Sequence, residues 1–156
     1  MKIEQIYTGC LAQGAYYITS NGEAAIIDPL RETKPYMDRL EKDGVKLKYI
    51  FETHFHADFV SGHLDLSKKT NAPIVYGPHA DCEFDCISAA DNQIFRLGDV
   101  RIKVPGDSLE LIVNINSGEG MVKKEGALLN NADSLEKYLQ IGKNIWINDS
   151  YWLVMP

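Results

Sequence analysis

The segment AYYITSNGEAAIIDP, residues 15–29, constrains the fold more than any other stretch of the chain. Two β-prone runs meet at Asn21-Gly22. Asn-Gly tolerates the left-handed backbone that both central positions of a two-residue type I′ turn require, and the twist of that turn matches its flanking strands. A β-hairpin is therefore expected, with IEQIYTG (3–9) as a further strand before it.

After the hairpin the period changes. From Lys34 to Asp43 the apolar Met37 and Leu40, with Tyr36 beside them, recur at helical spacing among charges, and Gly44 stands where a C-terminal cap belongs. KLKYIFE (46–52) then reads as a strand, SGHLDLSKKTNA (61–72) as a helix and PIVYG (73–77) as a strand. This β-β-β-α-β-α-β order predicts an α/β fold, a sheet with helices packed against it. DNQIFRLGDVRIKV (91–104) gives two more strands about a turn at Leu97-Gly98-Asp99. Residues 105–156 differ in texture and contain no histidine or cysteine. Within them LELIVNI (109–115) reads as a strand, NADSLEKYLQIG (131–142) as a short helix, and NIWINDSYWLVMP (144–156) as aromatic and β-prone. The expected division is 1–104 and 105–156.

The 156 residues carry 16 Lys and Arg against 22 Asp and Glu, a net charge of −6 with no basic stripe, which argues against nucleic acid or an anionic membrane as partner. No apolar run reaches the ~20 residues of a membrane span and the first residues have no apolar signal core, so a cytoplasmic address is expected. Three cysteines, Cys10, Cys82 and Cys86, fit reduced thiols better than a disulfide framework. The C-x3-C spacing of Cys82 and Cys86 suits a soft metal or a redox pair, but two buried small side chains are the simpler reading.

Chemistry concentrates in FETHFHADFVSGH (51–63), which holds three of the four histidines. His54, His56 and Asp58 alternate just past a strand, so their side chains can converge above its end, and imidazole and carboxylate are donors that zinc and ferrous iron accept. The bland alternative is a solvated polar loop. His63 is read as fixing a neighbouring backbone group or as exposed, and His79, after Gly77-Pro78, as a loop residue. Asp28 either orients a metal-bound histidine or only forms an Asp-Pro turn.

The sequence THFHADF (53–59) matches the T-H-x-H-x-D-H motif of the metallo-β-lactamase superfamily. Residues 1 to about 104 resemble the N-terminal half of that superfamily, and ETHFHADFVSGHLDLSKKTNAPIVYGP (52–78) resembles its persulfide dioxygenases, including forms fused to rhodanese domains. The resemblance implies one half of a metallo-β-lactamase-like αββα sandwich with a metal at one sheet edge, His54 and His56 as metal ligands and Asp58 shaping the site. Phe59 stands where di-zinc members have a second-metal histidine, which implies one metal, Fe(II), with Zn(II) as the alternative. The implied activity is dioxygen-dependent oxidation of a small-molecule thiol persulfide. The alternatives are zinc-dependent thioester hydrolysis of the glyoxalase II type, or a non-catalytic binding or assembly module. The family draws a further histidine from a P-G-H-T segment; here Pro105-Gly106-Asp107-Ser108 offers Asp107, either as a third ligand or as part of an ordinary turn. A half-sandwich leaves one apolar sheet face to be covered, either by the tail or by a second copy in a homo-oligomer.

Overall fold

The computed structural model describes residues 1–11, 13–78 and 80–104, together with the strand pairing of 110–114 and 145–148. β1 (Lys2–Thr8), β2 (Gln13–Ser20) and β3 (Glu23–Ile27) form an antiparallel meander. The Asn21-Gly22 hairpin is present: Ser20 pairs with Glu23, and the two turn residues have φ of 47° and 79°, both left-handed as a type I′ turn demands. α1 (Lys34–Asp43) leads to β4 (Lys46–Phe51), parallel to β3. α2 (His63–Thr70) leads to β5 (Ile74–Tyr76), and the two-residue β6 (Ile87–Ser88), too short to show periodicity, closes the sheet in the order β1-β2-β3-β4-β5-β6.

α1 ends as its sequence requires. Gly44 adopts φ 61°, its N–H donates to Glu41 O and the N–H of Val45 donates to Leu40 O, the paired bonds of a Schellman cap.

A second, antiparallel sheet contains β7 (Gln93–Leu97), β8 (Val100–Val104), β9 (Glu110–Asn114) and β10 (Ile145–Asn148) in the order β10-β9-β8-β7. The strand read over 109–115 is thus β9, and β10 falls in the β-prone end of the chain. The helix read over 131–142 lies outside the described residues.

Two apolar cores follow from the pleat. Ala15, Tyr17, Ala24, Ile26, Leu47, Ile50 and Ile74 face Tyr36 and Leu40 of α1 and Leu66 of α2. Ile18, Ala25, Ile27, Phe51 and Val75 face Phe95, Leu97, Val100 and Ile102 of the second sheet. Fully burying each Ile, Leu or Phe contributes roughly 1.5–3 kcal/mol. Phe95 stands edge-on to both Tyr49 and Phe51, at 5.3 and 5.4 Å between centroids, which joins the sheets at their centre. β4 alternates between the two cores, and its register against β3 shifts at Ala24/Ala25: Ala24 pairs with Leu47 and Ala25 with Tyr49, leaving Lys48 as a bulge that puts Leu47 on the helix side and Tyr49 on the other. Lys48 Nζ reaches Glu23 at 2.8 Å. On the outward positions of β7 and β8, Ile94, Arg96 and Arg101 are exposed.

The layers are therefore helices, mixed sheet, second sheet, the metallo-β-lactamase-like arrangement that the sequence implies over its N-terminal part. The sheets meet at one end through turns. The Gly98 N–H donates to Glu23 Oε2 at 2.6 Å and the Asp99 N–H to Ser20 Oγ at 3.1 Å. Gly98 has φ 55°, and a Cβ there would lie 2.3 Å from the Ser20 carbonyl oxygen. Gly98→Ala should therefore combine backbone strain with a backbone clash and lower the unfolding free energy by roughly 1–3 kcal/mol in urea titration; an unchanged midpoint would show that this junction does not bear on stability.

Candidate metal centre

Two adjacent parallel strands end side by side, and each delivers a carboxylate. The Asp28 N–H donates to Phe51 O at 2.9 Å, and the Glu52 N–H donates to Val75 O at 2.9 Å, so β3, β4 and β5 fix both residues by main-chain bonds. Sites in parallel sheets form at such carboxyl ends. Asp28 has φ 49°, turning the chain into Pro29, and its carbonyl accepts from Gln13 Nε2 at 2.7 Å. The Asp28 carboxylate accepts from the Thr53 N–H at 2.8 Å and from Thr53 Oγ1 at 2.7 Å. This holds the start of the histidine loop.

The loop is fastened at its other end too. Gly62 N–H donates to Pro29 O at 2.9 Å, and the Ser61 hydroxyl contacts both Pro29 O, at 2.9 Å, and Glu52 Oε1, at 2.5 Å. Gly62 is needed for this approach, since a Cβ there would sit 2.3 Å from Leu30 O.

Within this frame the structure brings His54 and His56 together, their ring centroids 4.0 Å apart and inclined at 60°. Thr53 Oγ1 lies 3.0 Å from His54 Nδ1. His56 turns toward the strand ends: its Nε2 lies 3.2 Å from Asp28 Oδ1 and 3.3 Å from Glu52 Oε2. One ligand atom from each of Asp28, Glu52 and His56 falls within 4.8 Å of the others. His63, at the start of α2, reaches the same carboxylate, its Nδ1 3.3 Å from Glu52 Oε1. Phe59 lies over His56 at 4.2 Å between centroids, while Asp58 is exposed on the loop. Asp107 and His79 lie outside the described residues.

Glu52 is the residue that sequence reading missed. Its side chain is fully buried, and a carboxylate in that state needs a partner. The only signal in the sequence is an acidic residue closing the apolar end of β4. His63 also proves more enclosed than read, with 12% of its side chain exposed and its partner a carboxylate rather than a backbone group.

Burial works against a charge on His56, but the Asp28 and Glu52 carboxylates outweigh it and raise the imidazole to about 9. Neither ring nitrogen of His56 makes a directed hydrogen bond among the described residues, nor does Glu52 Oε2, and all three atoms are buried. Orphaned imidazole nitrogens facing carboxylates, with a second imidazole alongside, fit a metal of the zinc or ferrous class.

A two-sheet fold with helices on one face and a histidine-carboxylate cluster at the strand ends defines a class of metal-site protein. The metallo-beta-lactamase superfamily model matches residues 8–122, and the chain belongs to that superfamily. Metal binding, with zinc or iron as the usual ion, comes with that membership.

Among proteins similar in sequence, a hydroxyacylglutathione hydrolase of Synechococcus sp. (strain JA-3-3Ab) is 41% identical over 58 residues, covering 37% of this chain and 23% of its own. Another, from Rhodopseudomonas palustris (strain BisB5), is 32% identical over 111 residues, covering 66% and 43%. Among solved structures, a metallo-beta-lactamase from Staphylococcus aureus subsp. aureus COL superposes with a TM-score of 0.66 at 28% identity, over 72% of this chain and 38% of that one. ETHE1 from Myxococcus xanthus does so with a TM-score of 0.60 at 22% identity, over 65% and 46%. The chain thus spans less than half the length of these relatives. Among the described residues no helix is long and apolar enough to cross a membrane.

Glu52→Ala removes one side of a buried charge cluster and leaves His56 and His63 without their shared partner. Breaking a buried pair this way costs about 3–5 kcal/mol, so metal-free Glu52→Ala should unfold at clearly lower urea than the parent chain. A loss below about 1 kcal/mol would mean that Glu52 is not the centre of the cluster.

Proposed function

We propose that this chain carries a single-metal site of the persulfide dioxygenase type, with His54 and His56 as ligands and Asp107 as the carboxylate that completes two histidines and one acid. The observation that supports a single metal is Phe59. A phenyl ring offers no donor, and it lies against His56 in the motif position that holds a histidine in two-metal members of the superfamily.

In the proposed reaction a persulfide, dioxygen and water give a thiol, sulfite and two protons, with four electrons passing from the terminal sulfur to dioxygen. A ferrous ion would supply that electron exchange. The chain's own groups supply orientation. Asp28 holds Thr53 and thereby the base of the loop, and Glu52, itself bonded by Ser61, sets the ring of His56. Phe55 stacks on Tyr76 at 4.8 Å and gives the loop an apolar flank beside which a thiol can pack away from water. Asp58, exposed on the loop, shapes the entrance.

The hydroxyacylglutathione hydrolases among the sequence relatives favour a second reading, zinc-dependent hydrolysis of a thioester. The substrate classes share a thiol carrier and differ in the bond that breaks.

The chain should be loaded anaerobically with Fe(II) or with Zn(II), and each form given glutathione persulfide under dioxygen and, separately, a hydroxyacyl thioester of glutathione. The iron form is expected to consume dioxygen with the persulfide, and His54→Ala and His56→Ala to lose both bound iron and uptake. Glu52→Gln should weaken metal affinity by roughly 10–100-fold. Thioester turnover by the zinc form without dioxygen uptake by the iron form selects hydrolysis, and absence of both activities selects the non-catalytic module.

A further inference from the structure

Between β5 and β6 the chain makes a bend at Glu83-Phe84, flanked by Cys82 and Cys86. The two sulfurs lie 2.6 Å apart, with Cys86 Sγ set to donate to Cys82 Sγ, and both residues are partly buried rather than sealed. This is a built contact. Cys82, Phe84 and Cys86 all pack on the helix-side core, so the bend is held against the sheet by all three. Burial, and then the neighbouring Cys86 sulfur, push the Cys82 thiol up to about 12, so Cys82 rests as a thiol in the reduced pair.

Phe84 connects this pair to the metal centre. Its ring packs on His63 at 5.1 Å between centroids, inclined at 35°, and lies 6.2 Å from Tyr76. His63 in turn faces Glu52, whose other oxygen faces His56. Any change in the bend reaches the imidazole next to the carboxylate within one side-chain contact.

We propose that Cys82 and Cys86 form a disulfide-exchange site that takes a low-molecular-weight disulfide as oxidant and, on closing, fixes Phe84 against His63. One cysteine thiolate attacks a sulfur of the incoming disulfide and releases one thiol. The other cysteine then displaces the second thiol from the mixed disulfide. Two electrons pass from the cysteine pair to the incoming disulfide, two protons leave the cysteines, and two small thiols depart. The sulfurs must close by only about half an ångström to reach the ~2 Å of an S–S bond. Cys10, exposed on the β1–β2 connection, has no such neighbouring cysteine among the described residues and serves as an internal control. The inference does not depend on which reaction the metal centre performs.

The full chain, reduced, should be equilibrated in a series of glutathione to glutathione disulfide ratios, quenched in acid, alkylated and mapped by mass spectrometry. Expected is a joint loss of alkylation at Cys82 and Cys86, with the peptide spanning them lighter by two hydrogens, while Cys10 is alkylated or carries glutathione. In Cys86→Ser, Cys82 should accumulate the glutathione adduct instead. Separate adducts on Cys82 and Cys86 of the parent chain, or two free thiols across the whole series, overturn the exchange site. The coupling is read from the His63 imidazole resonances, which should move on oxidation of the parent chain and stay fixed in the Cys82→Ser/Cys86→Ser double variant. Resonances that do not move overturn the link to His63.

Discussion

The site depends on one buried contact, the Asp28 carboxylate bonded to both the backbone and the hydroxyl of Thr53. It joins the ends of two strands that are already parallel neighbours, and so converts sheet register into the position of a loop. Without it the histidine segment would be held at its far end alone. With it, His56 is carried beneath the loop toward Glu52, and the second fastening at Pro29, Ser61 and Gly62 closes the frame. The orphaned nitrogens of His56 are tolerable only in a frame this firm, because a mobile ring would turn outward to water.

Elements specified by local chemistry were legible in the sequence. Asn21-Gly22 encodes its own turn, and Gly44 encodes the end of α1, because each is the cheapest residue for a left-handed backbone. The Leu97-Gly98-Asp99 turn was readable for the same reason, although its role in joining the sheets was not. That role depends on Ser20 and Glu23, which are far away in sequence. The alternation of His54, His56 and Asp58 singled out the loop, but it did not say which way each side chain would turn.

What stayed hidden is a matter of burial. Glu52 reads as the polar end of a strand, and only the flanking strands β3 and β5 enclose it. His63 reads as fixing a neighbouring backbone group or as exposed at a helix start, until Gly62 packs on Leu30 and draws α2 close. For Cys82 and Cys86 the spacing suited a redox pair or a soft metal, yet two buried small side chains were the simpler reading, because nothing local announces the bend at Glu83-Phe84 that brings their sulfurs together. Each of these is set by long-range packing, and a single sequence carries no direct trace of that.

The bulge at Lys48 has a consequence for how this strand can vary. Leu47 looks toward the helices and Tyr49 toward the second sheet, so the extra residue acts as a half-step in the pleat. Deleting it would leave Leu47 and Tyr49 as direct neighbours on the opposite faces they already serve, against Ala24 and Ala25, so the ladder would become regular and both cores would keep their residues, while the Lys48 contact to Glu23 would be lost. The strand is thus two short strands of opposite phase spliced by one lysine.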